Sequence, residues 1–136
     1  MSTTLANTFI LVHDPEEALA FYRDALGLEV RLDVSNGGFR WVTVGAPGQD
    51  VAIVLSQPHG GRSQAEGDEL LSLVTRGSLQ GAIFHTDDLE GVFAKVRDSG
   101  VEVLEEPTDQ PWGVRDCAVR DPSGNLVRIQ AANKIL

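Results

Sequence analysis

The sequence predicts an α+β fold: two tandem βαβββ modules whose strands form a curved mixed sheet, with helices on the convex face and an open concave trough. Three observations predict it. A strand–turn–strand stretch of the first half recurs in the second. Each half opens on a short β-rich run followed by a helical pattern. And 136 residues, 42% hydrophobic and 23% charged, suit one compact domain but leave either half marginal alone.

The first run, Thr8-Phe9-Ile10-Leu11-Val12, ends at His13-Asp14. A helical pattern follows from Pro15 to Leu26, with Ala18, Leu19, Phe21, Tyr22, Ala25 and Leu26 on one broad face. Asp14 suits its N-cap, Pro15 its first position and Gly27 its stop. Next comes a strand at Leu28-Glu29-Val30-Arg31-Leu32, with period-two alternation through Val30, Leu32 and Val34. The second half repeats the order. Ala82-Ile83-Phe84-His85-Thr86 is the strand, and Asp88 caps a helix from Leu89 to Ser99 with Leu89, Val92, Phe93 and Val96 buried. Gly100 stops it and Val101-Glu102-Val103-Leu104 is the next strand.

The last two strands of each half carry the repeat. Residues 38–55 align without a gap onto residues 113–130, both reading strand, Pro/Gly turn, strand. Identities fall at Gly38/Gly113, Arg40/Arg115, Val44/Val119 and Pro47/Pro122. The expected modules are residues 1–56 and 80–136. Residues 57–79 join them through the loop signal Pro58-His59-Gly60-Gly61-Arg62-Ser63 and a short helix within Glu66 to Thr75.

Composition narrows the function. The formal charge of −9 opposes binding to phosphate backbones or anionic membranes, so neither nucleic acid nor membrane is an expected partner. The same charge favours solubility and is compatible with a cationic ligand. No apolar run approaches the ~20 residues of a membrane span, and no leader is evident at Met1-Ser2-Thr3-Thr4-Leu5, so a cytoplasmic location is expected. The single cysteine, Cys117, cannot form an intrachain disulfide and reads as a buried thiol. There is no Gly-x-Ser-x-Gly turn, no phosphate-binding glycine loop and no His-x-x-x-His pair.

Three segments resemble the vicinal-oxygen-chelate superfamily of glyoxalases, bleomycin-resistance proteins, extradiol dioxygenases and fosfomycin-modifying enzymes. They are residues 9–18 with Phe21-Tyr22 and Leu26-Gly27-Leu28, then Phe84-His85-Thr86-Asp87-Asp88-Leu89, then Arg120-Asp121-Pro122-Ser123-Gly124-Asn125-Leu126-Val127-Arg128-Ile129. The likeness covers nearly the whole chain except the join. It implies four inward-facing anchor positions that hold a metal in catalytic members. Seven residues before each helix-opening aspartate these are Asn7 and Gly81, and on the last strands Arg128 and, through the repeat, Ile53. Glycine and isoleucine have no donor, and a guanidinium repels a cation. No metal and no cofactor is therefore expected. A new site assembled from His13, His59, His85 and Asp116 is the competing possibility.

Strand parity from those anchors predicts a hollow lined by Asn7, Phe9, Leu11, Phe39, Trp41, Ile53, Ile83, His85, Asp116 and Arg128, with Trp112 at its rim. Such a mainly apolar and aromatic lining suits an organic small molecule. Plainer roles compete. Phe39 and Trp41 can fill a core, Trp112 can be a dimer contact, Arg128 can pair structurally with Asp116, and His85 can be a satisfied strand histidine. The resemblance to metal-free resistance proteins implies binding and sequestration of a bulky aromatic or apolar drug by a homodimer, without turnover. The alternative is a lyase, isomerase or dioxygenase of the glyoxalase type, with His85 or Asp116 as base and Arg128 stabilising an anion, or with an unusual metal ligand set. A regulatory or immunity subunit is a third reading.

Overall fold

The computed structural model describes residues 1–132; residues 133–136, the end of the expected second module, lie outside the described residues. The first module runs β1 (Asn7–Leu11), α1 (Pro15–Leu19) continuing as a π-helical turn (Ala20–Ala25), β2 (Glu29–Asn36), β3 (Phe39–Gly45) and β4 (Ala52–Ser56). Helix α2 (Gln64–Thr75) follows. The second module is β5 (Gln80–Thr86), α3 (Leu89–Asp98), β6 (Val103–Asp109), β7 (Arg115–Arg120) and β8 (Leu126–Ala131). The strands form two four-stranded sheets of identical plan, ordered β1-β4-β3-β2 and β5-β8-β7-β6, so the fold is two βαβββ modules. No helix among the described residues is long and apolar enough to cross a membrane.

The caps act as their residue types dictate. Asp14 accepts from Glu16 N at 2.9 Å and Asp88 from Gly91 N at 3.1 Å. The first helix widens after Leu19, where Leu26 N reaches back to Phe21 O at 2.9 Å. A π turn rotates less per residue, which keeps the successive bulky side chains Phe21 and Tyr22 together on the buried side. One core then serves both modules: Val12, Leu19, Phe21, Tyr22, Val42, Val44 and Leu55 pack with Phe93, Val96, Cys117, Val119, Val127 and Ile129. Burial, then the Asp116 charge, pushes the Cys117 thiol up to about 11. It is inert packing.

Two departures from the expected strands have one physical basis. β2 does not keep Val30, Leu32 and Val34 on one face. A bulge between Val30 and Leu32 leaves Val30 opposite core Val44, while Leu32 and Val34 lie opposite Thr43 and Trp41 on the other side. And the repeat is gapless only as far as β3 and β7. The turn from Gly45 to Ala52 holds one residue more than the turn from Arg120 to Leu126. A one-residue slip reverses every side chain of a strand, so the partner of Arg128 in the first module is Val54 rather than Ile53. Parity from the gapless alignment sent Ile53 to the hollow. The register instead places it beside Thr8 and Val44, 8% exposed in the helix-facing core.

Candidate functional site

The sheet faces opposite the helices form the site. Their floor consists of small, buried side chains: Ala52, Val54 and Thr43 in one module, Ala118 and Asp116 in the other. Taller apolar groups stand exposed around it, including Phe9 at 63%, Ile83 at 62% and Trp41 at 46%. Phe9 and Trp41 meet edge-on, ring centroids 6.4 Å apart.

Three clefts follow this face and share residues, so they are contiguous. One of 550 Å³ is lined by Phe9, Leu11, Trp41, Ser56, Gly60, Arg62, Leu79, Gln80 and Asn125. One of 440 Å³ runs from Gly77–Gln80 past Leu104, Glu105, Ala118, Arg120 and Leu126 to Arg128. A third, of 230 Å³, joins them between Gln80, Ile83 and Arg128. A 790 Å³ crevice, which meets the third cleft at Ile83, opens in the seam between the modules, against Leu26, Leu28, Pro47, His85 and Asp87.

The sequence-derived residues thus divide. Phe9, Leu11, Trp41, Ile83 and Arg128 line the clefts, and His85 faces the seam crevice. Asn7, Phe39 and Trp112 are exposed outside these clefts, Trp112 in the loop before β7. Ile53 is core. Asp116 lies beneath the surface, 1% exposed, its Oδ1 accepting from Gln110 Nε2 at 2.9 Å and its Oδ2 from Arg128 Nη1 at 3.2 Å. Both its oxygens hold neighbours in place, a poor arrangement for a base that must reach a substrate proton. His85 is bonded through Nε2 to Gln130 Oε1 at 3.0 Å. Sequence reasoning missed Ser56, Gly60, Arg62, Leu79, Gln80 and Asn125. Half of them, Gly60, Arg62 and Leu79, belong to the join, where glycine and proline signalled only a loop. The loop is in fact a wall, held where Gln57 Oε1 accepts Arg40 N at 2.9 Å and His59 pairs with Asp68 of α2 at 2.8 Å.

With the register corrected, the four anchor positions are Asn7, Val54, Gly81 and Arg128. Valine and glycine offer no donor, and Arg128 would bring a fixed positive charge to the cation. These residues do not fit a metal. Among the described residues no group of three or more His, Cys, Asp or Glu side chains is placed to hold one.

Paired βαβββ modules with an open face opposite their helices are the architecture of the vicinal-oxygen-chelate proteins. The chain belongs to the Glyoxalase/Bleomycin resistance protein/Dioxygenase superfamily, whose family model matches residues 4–129. It is 32% identical over 123 residues to the uncharacterized protein YurT of Bacillus subtilis (strain 168), spanning 90% of this chain and 94% of YurT. Its structure is similar to that of UcmS2, with a TM-score of 0.85 and 29% identity, covering 97% of this chain and all 100% of UcmS2. It is also similar to TnmS3, an antibiotic binding protein from Streptomyces sp. CB03234, with a TM-score of 0.73 and 27% identity over 96% of both chains.

Proposed function

We propose that this protein binds a bulky, largely aromatic small molecule in the hollow opposite its helices, without a metal and without turning it over, in the manner of a drug-sequestering resistance protein. The observation that carries this reading is the exposure of Phe9, Trp41 and Ile83 around a floor of small buried residues. Large apolar groups cost free energy in water unless something covers them. The likeness to an antibiotic binding protein supports the reading. So do the hydrogen bonds that occupy both oxygens of Asp116, the buried carboxylate beside Arg128. A second copy of the chain is the proposed cover for the outer part of the face, where Leu32, Val34, Leu104 and Trp112 are also exposed.

The test is a screen of aromatic natural products, read by quenching of tryptophan fluorescence with and without a chelator. Saturable binding at one ligand per hollow, with no product released and no effect of the chelator, is the expected result. Failure to find any binder tighter than about 100 μM, or product formation lost on His85→Ala, would overturn it. Sedimentation should show a dimer that Trp112→Glu weakens.

A further inference from the structure

The charge of the hollow runs against the charge of the chain. There are 20 acidic and 11 basic residues in the sequence. Yet the charged side chains lining the three contiguous clefts are Arg62, Arg120 and Arg128, against one carboxylate, Glu105. Two of these arginines have partners. Arg128 Nη1 lies 3.2 Å from Asp116 and 3.8 Å from Glu105. Arg120 Nη1 donates to the carbonyls of Gly77 and Gly124, and its Nε lies 3.9 Å from Glu102. Arg62 differs: among the described residues it makes no ion pair, only a bond from Nη1 to Pro58 O at 3.1 Å. That leaves Nε and Nη2 to donate.

Arg62 is the one charged group in the 550 Å³ cleft, beside Phe9, Leu11 and Trp41. The same cleft reaches Asn125, itself 1% exposed. The Asn125 amide nitrogen is spent on Leu11 O at 2.7 Å and Asp121 Oδ2 at 2.9 Å, while its Oδ1 accepts nothing among the described residues. An aromatic surface, an unpaired guanidinium and an unfilled acceptor thus share one cleft.

Resting on the binding function proposed above, we infer that the ligand is a planar aromatic acid. Its ring packs on Phe9 and Trp41, its anionic oxygens take the Arg62 fork, and a neighbouring hydroxyl or N–H donates to Asn125 Oδ1. A planar two-oxygen anion matches the guanidinium in shape as well as charge. Apolar walls exclude part of the water that would otherwise weaken that contact. A cationic ligand, which the net charge alone would suggest, meets no carboxylate in this cleft. Charges elsewhere on the surface act through solvent and fade beyond a Debye length of about 8–10 Å.

The experiment is calorimetric titration at low ionic strength with three probes of similar size: 1-hydroxy-2-naphthoate, its uncharged carboxamide, and 2-naphthylmethylammonium. The hydroxynaphthoate should bind best, at least about tenfold above the cation, the scale of one charge-assisted hydrogen bond. Arg62→Gln should remove that advantage and Arg62→Lys, which keeps the charge but not the planar fork, should restore only part of it, whereas Trp41→Ala should weaken all three probes. Equal binding of acid and cation, or an unchanged preference in Arg62→Gln, overturns the assignment of an acid. If in that case Trp41→Ala still abolishes binding of every probe, the hollow remains the binding site and only the ligand class falls. If no probe binds, the acid assignment falls, and the wider screen decides the binding function separately.

Discussion

The turn from Gly45 to Ala52 and the turn from Arg120 to Leu126 are the same element of the repeat, each with a proline and a glycine of positive φ, yet they hold very different things. In the second, Asp121 is buried and accepts five hydrogen bonds. Its Oδ1 takes the backbone N–H groups of Ser123, Gly124 and Asn125, each at 2.9 Å, and its Oδ2 takes Tyr22 Oη at 2.6 Å and Asn125 Nδ2 at 2.9 Å. Ser123 Oγ accepts His13 N at 2.8 Å and Asn125 reaches Leu11 O, so this turn fastens the second module to the first. At the equivalent of Asp121 the first turn has Ala46, whose carbonyl accepts Arg31 Nη2 at 2.7 Å within its own module. Beside it the seam stays open as the 790 Å³ crevice. The repeat preserves the fold through its apolar helix-facing pattern, while a few polar residues decide which junction is locked.

The sharpest way to break this comparison is Asp121→Ala. It strands the backbone donors of Ser123 and Asn125 and the Tyr22 hydroxyl, while Gly124 N keeps the carbonyl oxygen of residue 121 at 3.0 Å, and should cost about 4 kcal/mol in denaturant unfolding. A loss under about 1 kcal/mol would mean that the turn is no strut. Next come the two glycines. Gly124→Ala demands a left-handed backbone at φ +116 and drives a methyl into the carbonyl oxygen of Val74, with that of Thr75 at 3.2 Å. About 3 kcal/mol is expected. Gly48→Ala, at φ +82 with nothing within 4 Å, should cost only about 1 kcal/mol. Similar losses at the two sites would erase the distinction.

Alkaline titration gives a gentler probe. Burial first, then the Asp121 charge and hydrogen bond, hold the Tyr22 phenol well above its usual 10.0, and Cys117 is pushed up to about 11. For groups raised on folding, the stabilisation is complete below the unfolded values and is lost as pH climbs through the folded ones. Unfolding free energy should therefore fall from about pH 9 upward. Tyr22→Phe should flatten that fall at a cost of about 2 kcal/mol near neutrality; an equally steep alkaline limb would contradict the assignment.

The smallest effects belong to a feature the modules share. Arg40 grips Asp33 at 2.6 Å and Glu16 at 3.0 Å, and Arg115 grips Glu90 at 2.9 Å with Asp109 at 3.5 Å. Each arginine ties its third strand to the start of its helix and to the second strand. Arg40→Ala and Arg115→Ala should lower the melting temperature slightly, by similar amounts, and less in high salt. A large difference between them would show that the clamps are not equivalent.

Much of the fold was legible because it rests on local signals. Asp14 and Asp88 cap helices with their own carboxylates, and the apolar stripes of residues 18–26 and 89–96 announce which faces go inward. The Arg40/Arg115 identity in the repeat is explained by the paired clamps. The site was less legible. Parity carried Phe9, Trp41 and Arg128 to the clefts, but it failed at Ile53, where one extra turn residue reversed the strand, and at Val30, where a bulge did the same. Arg62 belongs to a loop without periodicity, Gln80 to the start of β5 where the register against β8 shifts, and Asn125 to a turn, so nothing in their spacing marked them as lining a cleft.

Sequence alone determined which elements form, how they recur and which surfaces must be buried, because caps, turn residues and apolar periodicity act over a few neighbouring positions. Only the tertiary structure decided which side chains meet across the hollow and which of the two turns locks the modules. Those outcomes depend on strand register and on contacts between residues about a hundred positions apart, such as Tyr22 with Asp121. A single inserted residue changes them while leaving every local signal intact.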